Sequence, residues 1–468
     1  MAARSIDGVI RRLRERLRAD QIATDPADRL VYGYDATWAE GLPEVVVHAE
    51  STADVAWVLR IAEEARVPVV PRGGGTGLAG GAVPMEGGIC LNLARMNRIL
   101  EIDPADGIAV AQAGVVTHTL QKAVEAYGLF YPPDPASLYM STIGGNVATN
   151  AGGPRCLKYG VTRDYVLGLE VVIPGGEVLR LGGRVMKDVS GYDLKQLFIG
   201  SEGTLGVITE VIVRLLPRPP ALGAMAVAFD HLESACEAVV AILSSGVLPL
   251  MAELMDRAVM RAVEAFHPWG LPIEAEALLL LAADGEEEAV RADMARMADQ
   301  VQAFGGRVIR IATDPKSADE LWEIRRHASP AIARLAPYKF SEDITVPRSR
   351  IPQMARRIQQ IAQETGVPIV VYGHIGDGNL HPTLLCNRRD ATEMARVAEA
   401  AARIFNAALE LGGVLSGEHG IGLLKRDFAL QALPPLTLEK LWAIKLLFDP
   451  NNIMNPGKKL PLLTRTQI

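Results

Sequence analysis

Residues 374–381 read His374-Ile375-Gly376-Asp377-Gly378-Asn379-Leu380-His381, and residues 416–422 read Ser416-Gly417-Glu418-His419-Gly420-Ile421-Gly422. An Asp-Gly pair between β-rich flanks predicts a two-residue hairpin turn at Asp377-Gly378. That register pairs Gly376 with Asn379, Ile375 with Leu380 and His374 with His381. Directly paired residues share a face, with Cβ atoms about 5 Å apart, a suitable bite for one metal ion. Glu418 offers a third ligand of the kind catalytic zinc sites use, and His419 is left beside it as a base. The chemistry this predicts is metal-assisted acid–base catalysis. Two histidines merely hydrogen-bonded on a hairpin would leave the same pattern, and Glu-His-Gly is a common tripeptide. The metal reading therefore leans on a second, independent constellation.

Glycine supplies it. Pro71-Arg72-Gly73-Gly74-Gly75-Thr76-Gly77-Leu78-Ala79-Gly80-Gly81 is too glycine-dense for packing alone. Without Cβ atoms the backbone can approach a ligand closely, and successive N–H groups can converge on a phosphate. The run does not fit a Gly-x-Gly-x-x-Gly opening a helix, because Gly80-Gly81 and Pro84 follow, and no Gly-x-x-x-x-Gly-Lys-Ser/Thr occurs. A Rossmann site and a P-loop are thus disfavoured; phosphate binding and a plain glycine loop both stay open. A second run, Thr142-Ile143-Gly144-Gly145-Asn146-Val147-Ala148-Thr149-Asn150-Ala151-Gly152-Gly153, could lie flat along a planar cofactor and bond its edge. Ser201-Glu202-Gly203-Thr204-Leu205-Gly206-Val207-Ile208 is a third.

Elements must position these runs. Pro43–Ala49 reads as a strand, Ser51-Thr52-Ala53-Asp54 as a helix N-cap before Val55–Ala65, and Val67–Pro71 as a short buried strand entering the first glycine run. Strands follow at Gly168–Ile173, Val178–Leu181 and Gly206–Leu216, and Pro217, Pro219 and Pro220 mark a boundary. From about 221 to 415 the composition shifts to Ala, Leu and Glu. Strand-like segments near 223–229, 276–282 and 307–312 alternate with helical patterns near 232–244 and 285–304, predicting a sheet with helices on one face. A last helix is predicted over Leu438–Phe448 with Thr437 as N-cap.

The 468 residues suffice for two or three domains, each with its own core. Lys+Arg of 48 against Asp+Glu of 55 gives a net charge of −7, with no basic block, so nucleic acid is not an expected partner. Apolar stretches such as Leu278–Ala283 are too short for a membrane span. Cys90, Cys156, Cys236 and Cys386 show no Cys-x-x-Cys spacing, hence neither a disulfide framework nor an iron–sulfur ligand set. Electrons, if any are handled, must leave through something outside this chain. Arg4, Arg11, Arg12, Arg14, Arg16 and Arg18 alternate with Ile6, Val9, Ile10, Leu13 and Leu17, but Asp7, Glu15 and Asp20 interrupt the charge. An ordinary first helix is expected rather than a targeting segment, and with it a cytoplasmic location.

The three glycine runs, in this order, resemble the flavoproteins of the vanillyl-alcohol oxidase/p-cresol methylhydroxylase fold. More narrowly, the chain resembles the FAD-linked D-2-hydroxy-acid dehydrogenases: glycolate oxidase flavin subunits, D-lactate dehydrogenases and D-2-hydroxyglutarate dehydrogenase. The resemblance runs from about Pro43 to Leu460. It is carried also by the segment Lys187–Gly206, by both histidine segments and by Asn455-Pro456-Gly457-Lys458. It implies an α+β chain: a two-subdomain FAD-binding domain over 1–220, with an N-terminal helix, and an α+β, ferredoxin-like substrate or cap domain over 221–415. Residues 416–468 would return to the flavin and metal site.

By the same resemblance, Arg72, Gly73, Gly74, Gly75, Thr76, Gly77 and Leu78 cradle the FAD pyrophosphate, and Pro133, Asp134 and Ser137 lie against the flavin. Thr142, Gly145, Asn146, Thr149, Asn150, Gly152, Glu202, Gly203, Gly206, Val207 and Ile208 complete the pocket, with Asn455 reaching in from the C-terminus. Relatives with covalent flavin often carry a histidine in the first glycine loop. Gly73–Gly75 supplies none, so the FAD is expected to be noncovalent.

The implied reaction oxidises a small D-2-hydroxy acid, of the D-lactate or glycolate type, to the 2-oxo acid. His374, His381 and Glu418 would hold a divalent ion, zinc or else manganese or iron, with His419 as general base and the flavin as hydride acceptor. Arg325 and Lys339 match substrate-binding positions, and arginine suits a carboxylate. Arg326 rivals Arg325 for that role, and both could cover a solvated helix. Asn379 could touch substrate or cap the turn. The electron acceptor would be an electron-transferring flavoprotein, an iron–sulfur subunit, a cytochrome or a quinone, and a homodimer is compatible with all of these. Two other readings stay open: a flavin subunit active only within an electron-transfer complex, and a non-redox metal-dependent hydrolase whose glycine loops are structural.

Overall fold

The computed structural model describes residues 6–462, so Arg4 of the amphipathic first segment lies outside the described residues. The chain divides into two compact units, one of residues 1–152, 161–218 and 418–468, the other of 153–160 and 219–417. The expected 1–220 segment is thus interrupted. Residues 153–160 belong to the second unit because Lys158 Nζ donates to the Asp284 carboxylate and carbonyl, at 2.5 and 2.6 Å, and the Tyr159 hydroxyl donates to the same carboxylate.

In the first unit the helix Ile6–Leu13 buries Val9 and Leu13. Strands β1 (Ile22–Ala23), β2 (Val45–His48), β3 (Val69–Arg72) and β4 (Ile89–Asn92) form a sheet in the order β1-β2-β4-β3. β2 and β3 both run parallel to β4, placing Val45 and Val69 on either side of Ile89. Parallel strands require a covering crossover, and the helix Thr52–Ala65 between β2 and β3 provides it. Its start is set by a reciprocal cap: the Ser51 hydroxyl accepts from the Asp54 amide at 3.2 Å, and the Asp54 carboxylate accepts from the Ser51 amide at 3.1 Å.

The remaining strands of this unit are β5 (Ile99–Asp103), β6 (Ile108–Gln112), β7 (Leu129–Phe130), β8 (Val166–Val172), β9 (Val178–Gly182), β10 (Val207–Arg214) and β11 (Leu216–Pro217). Five of them make an antiparallel sheet in the order β5-β6-β10-β8-β9, and β7 pairs with β11. The C-terminal helix begins at Pro435, three residues before the expected Leu438, with Pro434 rather than Thr437 at the N-cap. Proline's fixed φ and missing N–H suit a first turn. Beyond it the chain runs alongside β3: the Val69 amide donates to the Ile453 carbonyl and the Asn455 amide to the Val69 carbonyl, each at 2.8 Å. The tail thereby abuts the strand that feeds the first glycine run.

The second unit holds β12 (Ala221–Phe229), β13 (Met251–Asp256), β14 (Ala277–Gly285), β15 (Arg307–Ala312), β16 (Tyr338–Ser341), β17 (Ile344–Thr345), β18 (Ile369–His374) and β19 (Asn379–Cys386). They form one antiparallel sheet, β15-β12-β14-β13-β18-β19-β16, with β17 paired to β19. Helices cover both faces, not the one face expected. Ala224, Ala226 and Ala228 pack with Leu278, Leu280, Val259, Val263, Leu321 and Trp322 on one side. On the other, a Cβ placed on Gly223 would touch Val290 and Met294 of the helix Glu287–Ala303. The Ala- and Leu-rich runs of β12 and β14 lack polar alternation because neither face meets water. Among the described residues no helix is long and apolar enough to cross a membrane.

Candidate active site

β3 ends at Arg72, and the chain turns through the first glycine run along the wall of a cavity belonging wholly to the first unit. Arg72, Gly73, Gly74, Gly75, Thr76, Gly77 and Leu78 all line it, followed by Ser137, Thr142, Gly145, Asn146, Thr149 and Gly152, then Glu202, Gly203, Gly206 and Ile208. Glycine serves two purposes here. At Gly74 a Cβ would fall 2.2 Å from the Met140 carbonyl, so the wall itself is closely packed; at Gly81 it would meet nothing within 4 Å. Packing does not explain that second glycine, whereas a ligand lying against the backbone does. Arg72 is buried; its guanidinium donates to the Tyr34 carbonyl at 2.6 Å and lies over the Tyr32 ring.

The second run is not a flat extended strip. Thr142 caps a short helix, Ile143–Thr149, its hydroxyl accepting from the Gly145 amide at 3.2 Å. A Thr N-cap followed by small residues satisfies the backbone locally, and Gly144 lets the helix press onto Ala113, whose Cβ would lie 2.5 Å from an added one. Asn146 faces the cavity while its amide donates to Thr117 at 2.7 Å. Pro133, Asp134, Asn150, Val207 and Asn455 do not line the cavity. The Pro133 carbonyl accepts from Gln121, and Asn150 takes a left-handed conformation that ends the short helix. Asn455 braces two walls, donating to the Gly81 and Glu202 carbonyls at 2.8 and 2.7 Å.

Glu418 and His419 also line this cavity. The loop that carries them is held by Glu202, whose carboxylate accepts from the Ile421 and Gly422 amides at 3.0 and 2.7 Å. Gly422 has φ +48°, and a Cβ there would lie 2.1 Å from the Ala79 carbonyl, so only glycine lets the loop close on the first run. His419 Nε2 is 3.7 Å from Glu418 Oε1.

In the second unit the histidine hairpin departs from its expected register. His374 pairs with Asn379, and His381 with Tyr372, leaving a four-residue turn over 375–378. The turn is opened by its neighbours: the Gly376 amide reaches the Ala252 carbonyl of β13, and Gly378, at φ +90°, lies against the Val346 carbonyl. The shift is by two residues, so each side chain keeps its face. His374 and His381 become diagonal neighbours on one face, with ring centroids 5.1 Å apart and nearly perpendicular.

Each imidazole has a buried carboxylate toward Nδ1. Glu253 Oε1 is 2.6 Å from His374 Nδ1, and Asp343 Oδ1 is 3.8 Å from His381 Nδ1. Glu253 Oε2 accepts from Arg325 Nε at 2.6 Å. Burial works to raise the Glu253 carboxyl, but His374 and Arg325 together outweigh it and hold the group below its usual range. Arg325 is therefore the inward arginine, lying over Tyr372, whereas Arg326 pairs with Glu323. Lys339 donates to the Ser329 carbonyl and hydroxyl at 2.8 and 2.6 Å, and burial pushes it down to about 8. Asn379 donates through Nδ2 to Asp343, Ile344 and Thr345, bracing the turn. Sequence reasoning missed Glu253 and Asp343. The first left a signal, an acid inside the apolar run Met251-Ala252-Glu253-Leu254-Met255.

The glycine-lined cavity and the two-unit architecture define an FAD-dependent oxidoreductase of the vanillyl-alcohol oxidase/p-cresol methylhydroxylase type. The FAD binding domain matches residues 43–182, and the C-terminal domain of FAD linked oxidases matches residues 218–459. The chain belongs to the family of FAD-linked oxidases that contains glycolate oxidase subunits and D-lactate dehydrogenases. It is 45% identical over 433 residues to the glycolate oxidase subunit GlcD of Bacillus subtilis, covering 92% of each chain. It is 37% identical to a D-lactate dehydrogenase of Anaerostipes hadrus, covering 90% of each, and 34% identical to a D-2-hydroxyglutarate dehydrogenase of Stutzerimonas stutzeri, covering 96% of this chain and 98% of that one. Among solved structures, substrate-bound p-cresol methylhydroxylase shares the fold with a TM-score of 0.82 at 19% identity, and 4-ethylphenol oxidase from Gulosibacter chungangensis with 0.80 at 21%, each covering 98% of both chains. A redox family displaces the hydrolase alternative.

Proposed function

We propose that this protein oxidises a small D-2-hydroxy acid, of the D-lactate or glycolate type, to the 2-oxo acid, using noncovalent FAD and a divalent metal. The observation that carries the reading is the pair of imidazoles on one sheet face, His374 backed by the buried Glu253 carboxylate and His381 near that of Asp343, beside a buried arginine. Carboxylate-backed histidines are the usual setting of metal ligands. His374, His381 and Glu418 would supply nitrogen and oxygen donors of a kind that suits zinc, with manganese or iron as substitutes. Held there, a metal would supply Lewis acidity toward the substrate hydroxyl, and bound FAD would supply the hydride-accepting ring.

The chain's residues do the rest. His419 takes the hydroxyl proton as general base. Arg325 uses Nε for Glu253, so its terminal nitrogens serve the substrate carboxylate, with Lys339 as a second cation. Asn379 sets the hairpin turn. Electrons leave to an external acceptor, because the four cysteines are free thiols without a cluster spacing; glycolate oxidase relatives named as subunits fit a partner that supplies it. The test is anaerobic titration of the yellow protein with D- and L-2-hydroxy acids. Bleaching by D-lactate or glycolate supports the proposal; a flavin that no 2-hydroxy acid reduces refutes it.

A further inference from the structure

We propose that Glu253 is a positioning residue that couples metal holding to carboxylate holding, an inference that rests on the function proposed above. Glu253 lies mid-strand in β13, fully buried, and is the direct cross-strand partner of His374. Its two oxygens are divided between two partners: Oε1 faces His374 Nδ1 and Oε2 accepts from Arg325 Nε, both at 2.6 Å. A carboxylate only accepts. His374 Nδ1 must therefore carry the proton, which leaves the lone pair on Nε2, the nitrogen a metal would use.

Arg325 meets Glu253 through Nε, the guanidinium nitrogen nearest its stem. Its Cζ lies 4.8 Å from the centre of the Tyr372 ring, and that ring is 5.3 Å from His381. The arginine fork is thus fixed from two sides by residues that also contact the two histidines. One carboxylate sets a ligand tautomer and a clamp orientation together, so neither can change without the other.

A glutamine at this position cannot do both. It has one accepting oxygen, and its NH2 would confront either the His374 Nδ1–H or the Arg325 Nε–H. The two partners compete for that oxygen, and both are loosened: the imidazole moves its proton to Nε2 in one arrangement, and the guanidinium leaves its seat in the other. Removing the arginine lifts the conflict.

The experiment uses full-length, FAD-loaded, metal-stripped protein, titrated with Co2+ through its visible d–d absorption and with pyruvate through the flavin spectrum. Glu253→Gln is expected to weaken Co2+ about 10–100-fold and to weaken pyruvate as well. Arg325→Met is expected to weaken pyruvate while keeping Co2+ within about threefold of wild type, since Glu253 then still backs His374. In Glu253→Gln/Arg325→Met the amide oxygen is free for His374, and Co2+ affinity should recover most of the loss. Should the lone buried guanidinium prevent Glu253→Gln from folding, Glu253→Leu/Arg325→Met carries the test: with no acceptor, it should bind Co2+ at least about tenfold more weakly than Arg325→Met. Equal Co2+ and pyruvate affinity in Glu253→Gln and wild type, a change in only one of them, or no recovery on removing the arginine overturns the coupling. The metal reading is judged separately: a His374→Ala protein that keeps the wild-type Co2+ band sinks it, whatever Glu253 does.

Discussion

At the residue scale, the two groups with the sharpest expected signatures are His419 and Lys339. His419→Ala should keep the visible flavin bands, because the cavity wall is mostly backbone and small side chains, but lower the rate of bleaching by D-lactate about 10²–10⁴-fold. Unchanged bleaching removes His419 as the base. Lys339 is pushed down to about 8 by burial. Its charge is present below that value and lost above it, so the KM for the acid should climb as pH rises past about 8. Lys339→Arg, which stays charged, should flatten that climb. The linked stability runs the opposite way. The unfolded lysine binds its proton up to about 10.5 and the folded one only to about 8, so the unfolded state holds more protons between these values and stability rises with pH there. A KM that does not change across this window counts against Lys339.

At the element scale, the histidine hairpin carries the argument. Its register slipped by two residues from the one that a two-residue Asp-Gly turn would impose, yet the histidines kept a common face because strand side chains alternate with period two. The four-residue turn depends on Gly378. Its φ of +90° and a Cβ position 2.1 Å from the Val346 carbonyl make any side chain costly there. Gly378→Ala should lower stability by about 1–3 kcal/mol, seen as a lower Tm, and weaken Co2+ binding by displacing His374. Gly183→Ala, where a Cβ would meet nothing within 4 Å, should stay within about 0.5 kcal/mol of wild type. Equal effects at the two glycines would show that turn geometry does not govern the hairpin.

At the scale of the whole molecule, the glycine-rich cavity and the histidine pair draw on separate units. All residues that line the glycine-rich cavity belong to the first, and His374, His381 and the Glu253 that backs His374 belong to the second. Chelation with EDTA should therefore abolish turnover while the visible flavin absorption persists, and Zn2+, Mn2+ or Co2+ should restore activity. Flavin released along with the metal would contradict independent holding.

Much of this was legible in the chain. The glycine runs, the Ser51–Asp54 cap, the helix Leu232–Ser244 and the place of the histidine hairpin are all set by neighbours a few residues apart, whose backbone demands appear directly as residue types. Composition likewise marked β12 and β14 as strands. Only the tertiary structure decided that both faces of their sheet are covered, that Arg325 and not Arg326 turns inward, and that the hairpin opens to four residues. The reason is the distance along the chain. Glu253 and His374 are 121 residues apart and meet because β13 pairs with β18, a choice made by the packing of the entire sheet and by no local pattern in either strand.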